Sequence, residues 1–467
     1  MTSQIFGEVN KMDFDAIVVG AGPGGCLAAR DLARAGLSVG LFDADNRENL
    51  SKTIITEIVK KRFDVVGVFI ASGDEVPYLT DMMRVFSPRG KECFTVEGDY
   101  PRIPVRLNLL VKRVLAEAEE AGVKFFGNHK AMEPIVKGSW IKGATFSTGR
   151  SRAEVNARLV IDASGFNAAL TRKLDPEMGI GFEDREIDVV MAESYFHEID
   201  VEKAKAAIEK KLRYNDEIWN QLGFCGNYST KYSYLSLEAK HAYILAALRK
   251  YTPHPPLKTL IEQYKKEQGY FGKELYGGKG LLRVRRSWDQ LVANGFMVIG
   301  EAACQITPPQ GFGVSASLLA GHLAARVGAR ALKEGEPSTA ALWPYSYEYQ
   351  TGLGSILASY DAGVAVTRSM TNDHLTALLE AKVMQPEDVY NAAVPTYFSM
   401  SLCSLPGRIL GLLKNPGVIG KVLKMVCSIS KVKKHYAAYP RSYDKASFEA
   451  WSKKNRQIFA PLEAAIK

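Results

Sequence analysis

No CxxC pair and no Cys/His spacing able to hold zinc occurs in this sequence; its six cysteines, Cys26, Cys93, Cys225, Cys304, Cys403 and Cys427, stand apart from one another. Isolated thiols of this kind belong to a reducing compartment and argue against a disulfide framework or a metal site. Long apolar runs are missing too. No stretch approaches the roughly 18 uninterrupted apolar residues of a membrane-spanning helix, and residues 1–13 are polar where a secretory signal needs an apolar core. The expectation is a cytoplasmic protein that does not cross a membrane. Walker A and HExxH patterns are absent, and the seven histidines have no partner at triad or ligand spacing. Nucleophilic hydrolysis, P-loop phosphoryl transfer and zinc catalysis are therefore set aside. One further absence is local. Between Val389 and Tyr443 there is no aspartate or glutamate, while Arg408, Lys414, Lys421, Lys424, Lys431, Lys433, Lys434 and Arg441 all fall there, so this segment carries nearly the whole net charge of +9.

What the sequence does contain is a glycine turn, Val18-Val19-Gly20-Ala21-Gly22-Pro23-Gly24-Gly25-Cys26, between an apolar strand pattern at 16–19 and an Ala/Leu/Arg helical pattern that ends at Gly36. In such a turn Gly20 permits the sharp strand-to-helix reversal, Gly22 lets backbone N–H groups approach a diphosphate, and Gly25 allows close helix packing. The diphosphate then meets the positive end of a helix dipole. A second apolar strand, 37–42, ends at Asp43, where a ribose-binding carboxylate is needed.

Downstream, a helix beginning after Arg106 places Leu110, Val111, Val114, Leu115 and Ala118 on one face and ends at Gly122, ahead of a short strand at 123–126. Strand-like runs follow at 131–136, 140–146 and 153–155. The run 159–161 then leads into Asp162-Ala163-Ser164-Gly165 as a continuous apolar strand of a buried parallel sheet. Strand character at 189–196, 232–237 and 242–248, with helices at 202–212 and 257–267, makes an antiparallel platform, and 296–303 reads as one more buried strand. A helix then runs from Gly311-Phe312-Gly313 to about Leu332. A chain of 467 residues is too long for one core. The expected division is a dinucleotide domain with a β-meander at 14–175, an antiparallel substrate domain at 176–290 joined by some of 75–105, the return of the first domain at 291–340, and a helical C-terminal region at 341–467.

The basic segment has a helical pattern of its own. At about 100° per residue, Val418, Ile419, Val422, Leu423 and Val426 share one face and Lys421, Lys424 and Lys431 the other. Such a helix either packs on its own domain or lies in the interface of an anionic membrane, where each lysine contributes about 1 kcal/mol. No nucleic-acid module accompanies the charge, and nucleic acid is not an expected partner.

Three signatures in this order, VVGAGPGG at 18–25, VIDASG at 160–165 and VIGEAACQITPPQGFG at 298–313, resemble the flavoprotein family that contains aromatic hydroxylases and geranylgeranyl reductases. The resemblance spans about 14–354 and implies an α/β fold: an interrupted Rossmann-like FAD-binding domain, an antiparallel-sheet substrate domain and a helical C-terminal extension. It implies that Gly20, Gly22 and Gly25 meet the FAD diphosphate, that Asp43 meets the ribose, and that Arg106 lies near the cofactor. Asp162 and Gly165 belong to the second cofactor motif. Glu301, where the family has Asp, matches the ribityl-binding position, and Gly311, Gly313 and Val314 face the isoalloxazine. N–H groups at a helix N-terminus suit that last role, because they stabilise negative charge on a reduced flavin.

Within the family, 295–349, with LLAGHLAA and Trp343-Pro344-Tyr345, is most similar to geranylgeranyl reductases. That likeness implies an FAD-dependent oxidoreductase reducing carbon–carbon double bonds of a polyprenyl chain or lipid. Tyr228, Tyr232 and Tyr234 would line the substrate side, electrons would come from NAD(P)H or a ferredoxin-type protein, and the enzyme would be cytoplasmic or peripheral on a membrane. An FAD-dependent monooxygenase of an aromatic or lipophilic substrate is the alternative. The chain departs from the reductases at 52–56, where a cysteine-glycine element is usual, and at 232–236, which lacks the family's Trp and Pro.

Overall fold

The computed structural model describes residues 10–69, 72–80, 82–98, 101–149, 151–225, 229–250, 254–396, 405–413 and 415–466. In chain order the elements are β1 (Asn10–Val19), α1 (Pro23–Arg34), β2 (Val39–Phe42), β3 (Ile55–Val59), α2 (Lys60–Val65), β4 (Met82–Phe86), β5 (Glu92–Glu97), β6 (Arg102–Arg106), α3 (Leu107–Glu120), β7 (Lys124–Phe126), β8 (Lys130–Lys137), β9 (Trp140–Ser147) and β10 (Arg152–Asp162). There follow β11 (Val189–Ile199), α4 (Val201–Glu209), β12 (Glu217–Leu222), β13 (Thr230–Ser236), β14 (His241–Arg249), α5 (Leu257–Gln268), β15 (Phe271–Arg283), β16 (Val292–Ala293), β17 (Phe296–Val298) and α6 (Val314–Glu334). Helices complete the chain: α7 (Thr339–Tyr349), α8 (Ser355–Arg368), α9 (Asn372–Glu380), α10 (Pro386–Ala393), α11 (Leu405–Ile409), α12 (Pro416–Tyr436) and α13 (Lys445–Glu463).

The first sheet has the order β16-β17-β10-β1-β2-β7, with β9 attached to β10 and β8 to β9. Strands from three distant stretches of sequence meet at its centre, β1 running parallel to β10 and β2, and β10 parallel to β17. Ile17, Val18, Val160, Ile161, Met297 and Val298 are fully buried, as strands covered on both faces require. The runs at 153–155 and 159–161 are a single strand, β10, because β1 pairs with it along its whole length. Conversely, the expected strand at 296–303 is only β17, and a tight turn at Gly300–Ala303 replaces the remainder.

The second sheet has the order β15-β11-β14-β13-β12-β4-β5 and is antiparallel except between β12 and β4. Directly opposed residues share a face of a sheet. One row of opposed residues is Gly278, Ser194, Leu245, Tyr232, Asn220, Val85 and Phe94. The next row, Tyr276, Phe196, Tyr243, Tyr234, Ile218, Met83 and Val96, forms most of an apolar cluster on that face. On the sheet's opposite face Glu217, next to Ile218, is buried between two arginines, accepting from Arg84 Nε at 2.5 Å and Arg213 Nε at 2.9 Å.

In the C-terminal region α12 packs its apolar side on α8, burying Val418, Val422, Met425, Val426, Ile429 and Val432. Leu423, expected on that side, is 41% exposed. The apolar stripe is therefore occupied by protein, while Leu423, Lys424, Lys431 and Lys434 form an exposed outer side. Arg286 ties these helices to the segment after β15 through Asp361 of α8 at 3.3 Å and Glu463 of α13 at 2.9 Å. Among the described residues no helix is long and apolar enough to cross a membrane.

Candidate functional site

The carboxyl ends of β1, β2 and β10 open onto a cavity of about 900 Å³ whose opposite wall comes from β11, β14 and β15. Ligands of open α/β sheets bind at such ends. Gly20, Gly22, Gly25, Asp43, Gly165, Glu301, Gly311, Gly313 and Val314, separated by up to nearly 300 positions in the sequence, all line it.

The glycines do different jobs there. Gly20 has φ +105°, and a side chain on it would lie 2.4 Å from the Ala163 carbonyl oxygen on β10's exit loop. A Cβ on Gly25 would sit 1.9 Å from the Gly20 carbonyl oxygen, so the turn closes tightly only on glycine. Gly24, which the motif spacing leaves unassigned, lets α1 touch α6: a Cβ there would meet Ser317 Oγ at 2.2 Å. Gly22 differs, with no described atom within 4 Å of its absent Cβ, as is also true of Gly165 further along the wall. Gly22 faces open cavity. Neither α1 nor α6 has a side-chain cap among the described residues, and both N-termini face the cavity. Their first-turn N–H groups are left for a ligand.

Asp43 accepts from the Ala21 N–H at 2.6 Å and the Asp45 N–H at 2.8 Å; burial raises its carboxyl above the ordinary range despite those bonds. Glu301 accepts from the Arg283 N–H at 3.1 Å. Burial pushes its carboxyl from 4.5 up to about 7, with the Arg283 N–H and then the Arg283 guanidinium opposing. Lys52 belongs to the stretch where the expected cysteine-glycine element is missing, and it reaches across the cavity to donate to the Lys279 carbonyl at 2.8 Å.

Three expected residues are placed otherwise. Asp162 turns away from the cavity and organises the loop after β10, accepting from Ser164 Oγ at 2.5 Å, the Thr171 N–H at 2.7 Å and Thr171 Oγ1 at 2.7 Å. Arg106 stands behind the wall residue Leu107, its guanidinium 4.7 Å above the Tyr276 ring. Tyr234 stacks on Tyr78 with ring centroids 3.9 Å apart and donates to Asp216, inside the apolar cluster of the second sheet. Tyr232 is almost fully buried beside the cavity and donates to Glu57, a carboxylate that motif reasoning had no means of finding. Tyr228 lies outside the described residues.

An open α-carbon at Gly22, two uncapped helix N-termini and a carboxylate at the end of β2 together fit a dinucleotide: diphosphate on the first helix, ribose on Asp43. Comparison with known proteins agrees with that chemistry. A family model described as FAD dependent oxidoreductase matches residues 15–261. A digeranylgeranylglycerophospholipid reductase of Sulfolobus acidocaldarius is 25% identical over 472 residues, 98% of this chain and 100% of the relative. A reductase of the same name from Methanoculleus marisnigri is 23% identical over 365 residues, 74% of this chain and 84% of the relative. Among solved structures, a geranylgeranyl bacteriochlorophyll reductase-like protein of Thermoplasma acidophilum has the same fold, with a TM-score of 0.71 at 18% identity, covering 89% of this chain and 100% of that one.

Proposed function

Because this chain belongs to the FAD dependent oxidoreductase family, we propose that it reduces carbon–carbon double bonds of a geranylgeranyl-type polyprenyl chain carried on a lipid. One observation carries this assignment: the likeness to a digeranylgeranylglycerophospholipid reductase runs through the C-terminal helices as well as the cofactor-binding half. Gly20, Gly22 and Gly25 hold the FAD diphosphate, Asp43 the ribose and Glu301 the ribityl chain, with Gly165 alongside. Gly311, Gly313 and Val314 lie against the isoalloxazine. Bound and reduced, FAD supplies a hydride. The protein's own part is to orient the alkene, exclude water and deliver a proton. The uncapped start of α6 stabilises the negative charge of the reduced ring, and Ala192, Leu245 and Leu282 of the second sheet offer the prenyl chain an apolar wall. Electrons arrive from NAD(P)H or a ferredoxin-type protein.

The lipid substrate is met at the surface of a membrane, where the protein is peripheral. The contact is made by charge on the outer side of α12, through Lys424, Lys431 and Lys434, with the exposed Leu410 and Leu413 just before that helix. The assignment is tested by incubating the reduced holoprotein with a geranylgeranyl lipid under nitrogen and weighing the lipid by mass spectrometry. The expected product has gained H₂ at each reduced double bond. An oxygenated product formed only in air would assign a monooxygenase instead.

A further inference from the structure

We propose that Tyr232 is the acid that protonates the substrate double bond, recharged by the buried carboxyl of Glu57. This rests on the alkene-reduction assignment above. Ser194 and Leu245 line the cavity, and Tyr232 is the next residue of the same row, opposite Leu245 on β14. It therefore stands on the same face one strand further on, about 5 Å away. Glu57 arrives from a separate element, β3, directly after the cavity residues Ile55 and Thr56, and accepts the Tyr232 hydroxyl on Oε1. Its other oxygen faces Arg102 Nη1 at 3.4 Å. Arg102 also donates to Gln310 Oε1 at 2.5 Å and lies 5.0 Å over the Phe312 ring, on either side of Gly311 in the cavity wall. The tyrosine, the carboxylate and the loop beside the proposed isoalloxazine position are thus joined by one buried set of hydrogen bonds.

Four other ionisable groups on the wall are engaged differently. Asp43 is bound to the turn at Ala21, Glu193 accepts from Tyr195 Oη at 2.8 Å, Lys52 is held by Lys279, and Glu301 is assigned to the cofactor.

Alkene reduction adds a hydride to one carbon and a proton to the other, the two electrons coming from the reduced cofactor. The proton leaves Tyr232 Oη as the new C–H bond forms, and the phenolic oxygen is reprotonated through Glu57, its hydrogen-bond partner. What remains is Tyr232 donating to a Glu57 carboxylate that Arg102 holds, the arrangement seen in the structure. One proton drawn from bulk solvent replaces the one delivered to the alkene, so each turnover adds one hydride and one solvent proton.

The test uses the full-length holoprotein, reduced with dithionite and mixed anaerobically with a geranylgeranyl lipid in H₂O and in D₂O. Tyr232→Phe keeps the ring. It is expected to bind FAD and to reoxidise in air as the parent does, while its oxidation by lipid slows by about 10²–10⁴-fold and loses the parent's solvent isotope effect. Glu57→Gln is expected to behave alike, and Glu57→Asp to recover part of the rate. Lipid oxidation of Tyr232→Phe at the parent's rate, with the isotope effect intact, would overturn the relay and leave the alkene-reduction assignment standing. A parent whose flavin reoxidises in air but never with prenyl lipid would overturn both.

Discussion

Gly22 and Gly25 belong to one motif, yet replacing each by alanine should have opposite consequences. At Gly25 the new methyl would lie 1.9 Å from the Gly20 carbonyl oxygen, and ordinary contact begins near 3.4 Å. The turn must therefore open by roughly 1.5 Å, against backbone that cannot rotate away. Overpacking of this severity costs about 3 kcal/mol or more, which at about 2 cal/mol/K of unfolding entropy per residue lowers the melting point of a chain this long by on the order of 3 °C. Gly22 has φ −73° and ψ 179°, open to any residue, and no described atom lies within 4 Å of its absent Cβ. Gly22→Ala should melt with the parent. Its methyl instead fills the space where the diphosphate approaches the backbone, so FAD affinity should fall at least about tenfold, or 1.4 kcal/mol. Thermal unfolding of the FAD-free proteins and a fluorescence titration with FAD read the two effects separately. Gly22→Ala that takes up FAD with the parent's affinity would refute the placement of the diphosphate, and Gly25→Ala that melts with the parent would refute the packing.

Three further outcomes are expected. Burial raises the Glu301 carboxyl from 4.5 to about 7, so charging it costs stability that appears as pH rises through that interval. Glu301→Gln should match the FAD-free parent in urea at the acid end and exceed it above neutrality by about 1–2 kcal/mol, less than the full shift implies because the carboxyl lines a cavity that water enters. Glu217 has the opposite sign: against its burial, the Arg84 hydrogen bond and Arg213 charge hold its carboxyl below the ordinary 4.5, and its stabilisation is lost as pH falls through the lowered value. Glu217→Gln leaves the buried Arg213 guanidinium without a carboxylate, while Arg84 keeps Glu92 at 2.9 Å, and should cost about 3 kcal/mol in denaturant unfolding at neutral pH. Reversing Lys424, Lys431 and Lys434 to glutamate should leave the melting point unchanged but weaken sedimentation with phosphatidylglycerol vesicles by at least about 10²-fold, at about 1 kcal/mol per lysine.

That the glycine turn, the end of β2 and the start of α6 meet at one cavity was legible because each part is local, set by a few consecutive residues. The second sheet was only half legible. β13 and β14 announce themselves by apolar strand patterns, whereas β15, with Gly277, Gly278 and Gly280 in its middle, has no alternation to read and is held in place by pairing along β11. β10 was divided in two because Asn156 and Arg158 interrupt its apolar run, although β1 pairs across both. Glu57 could not be found at all. Its meaning comes from Tyr232, 175 positions away, and no motif spans that interval. The basic C-terminal helix shows the converse limit: its amphipathic pattern is genuine, and only the packing decides that α8 rather than lipid covers the apolar side.

The most direct measurement is anaerobic stopped-flow spectroscopy of the reduced holoprotein mixed with a geranylgeranyl lipid. Return of the oxidised flavin spectrum without oxygen, in step with saturation of the lipid, is the predicted result. A flavin that stays reduced with every prenyl lipid, and regains its colour only in air, would contradict alkene reduction as the function of this chain.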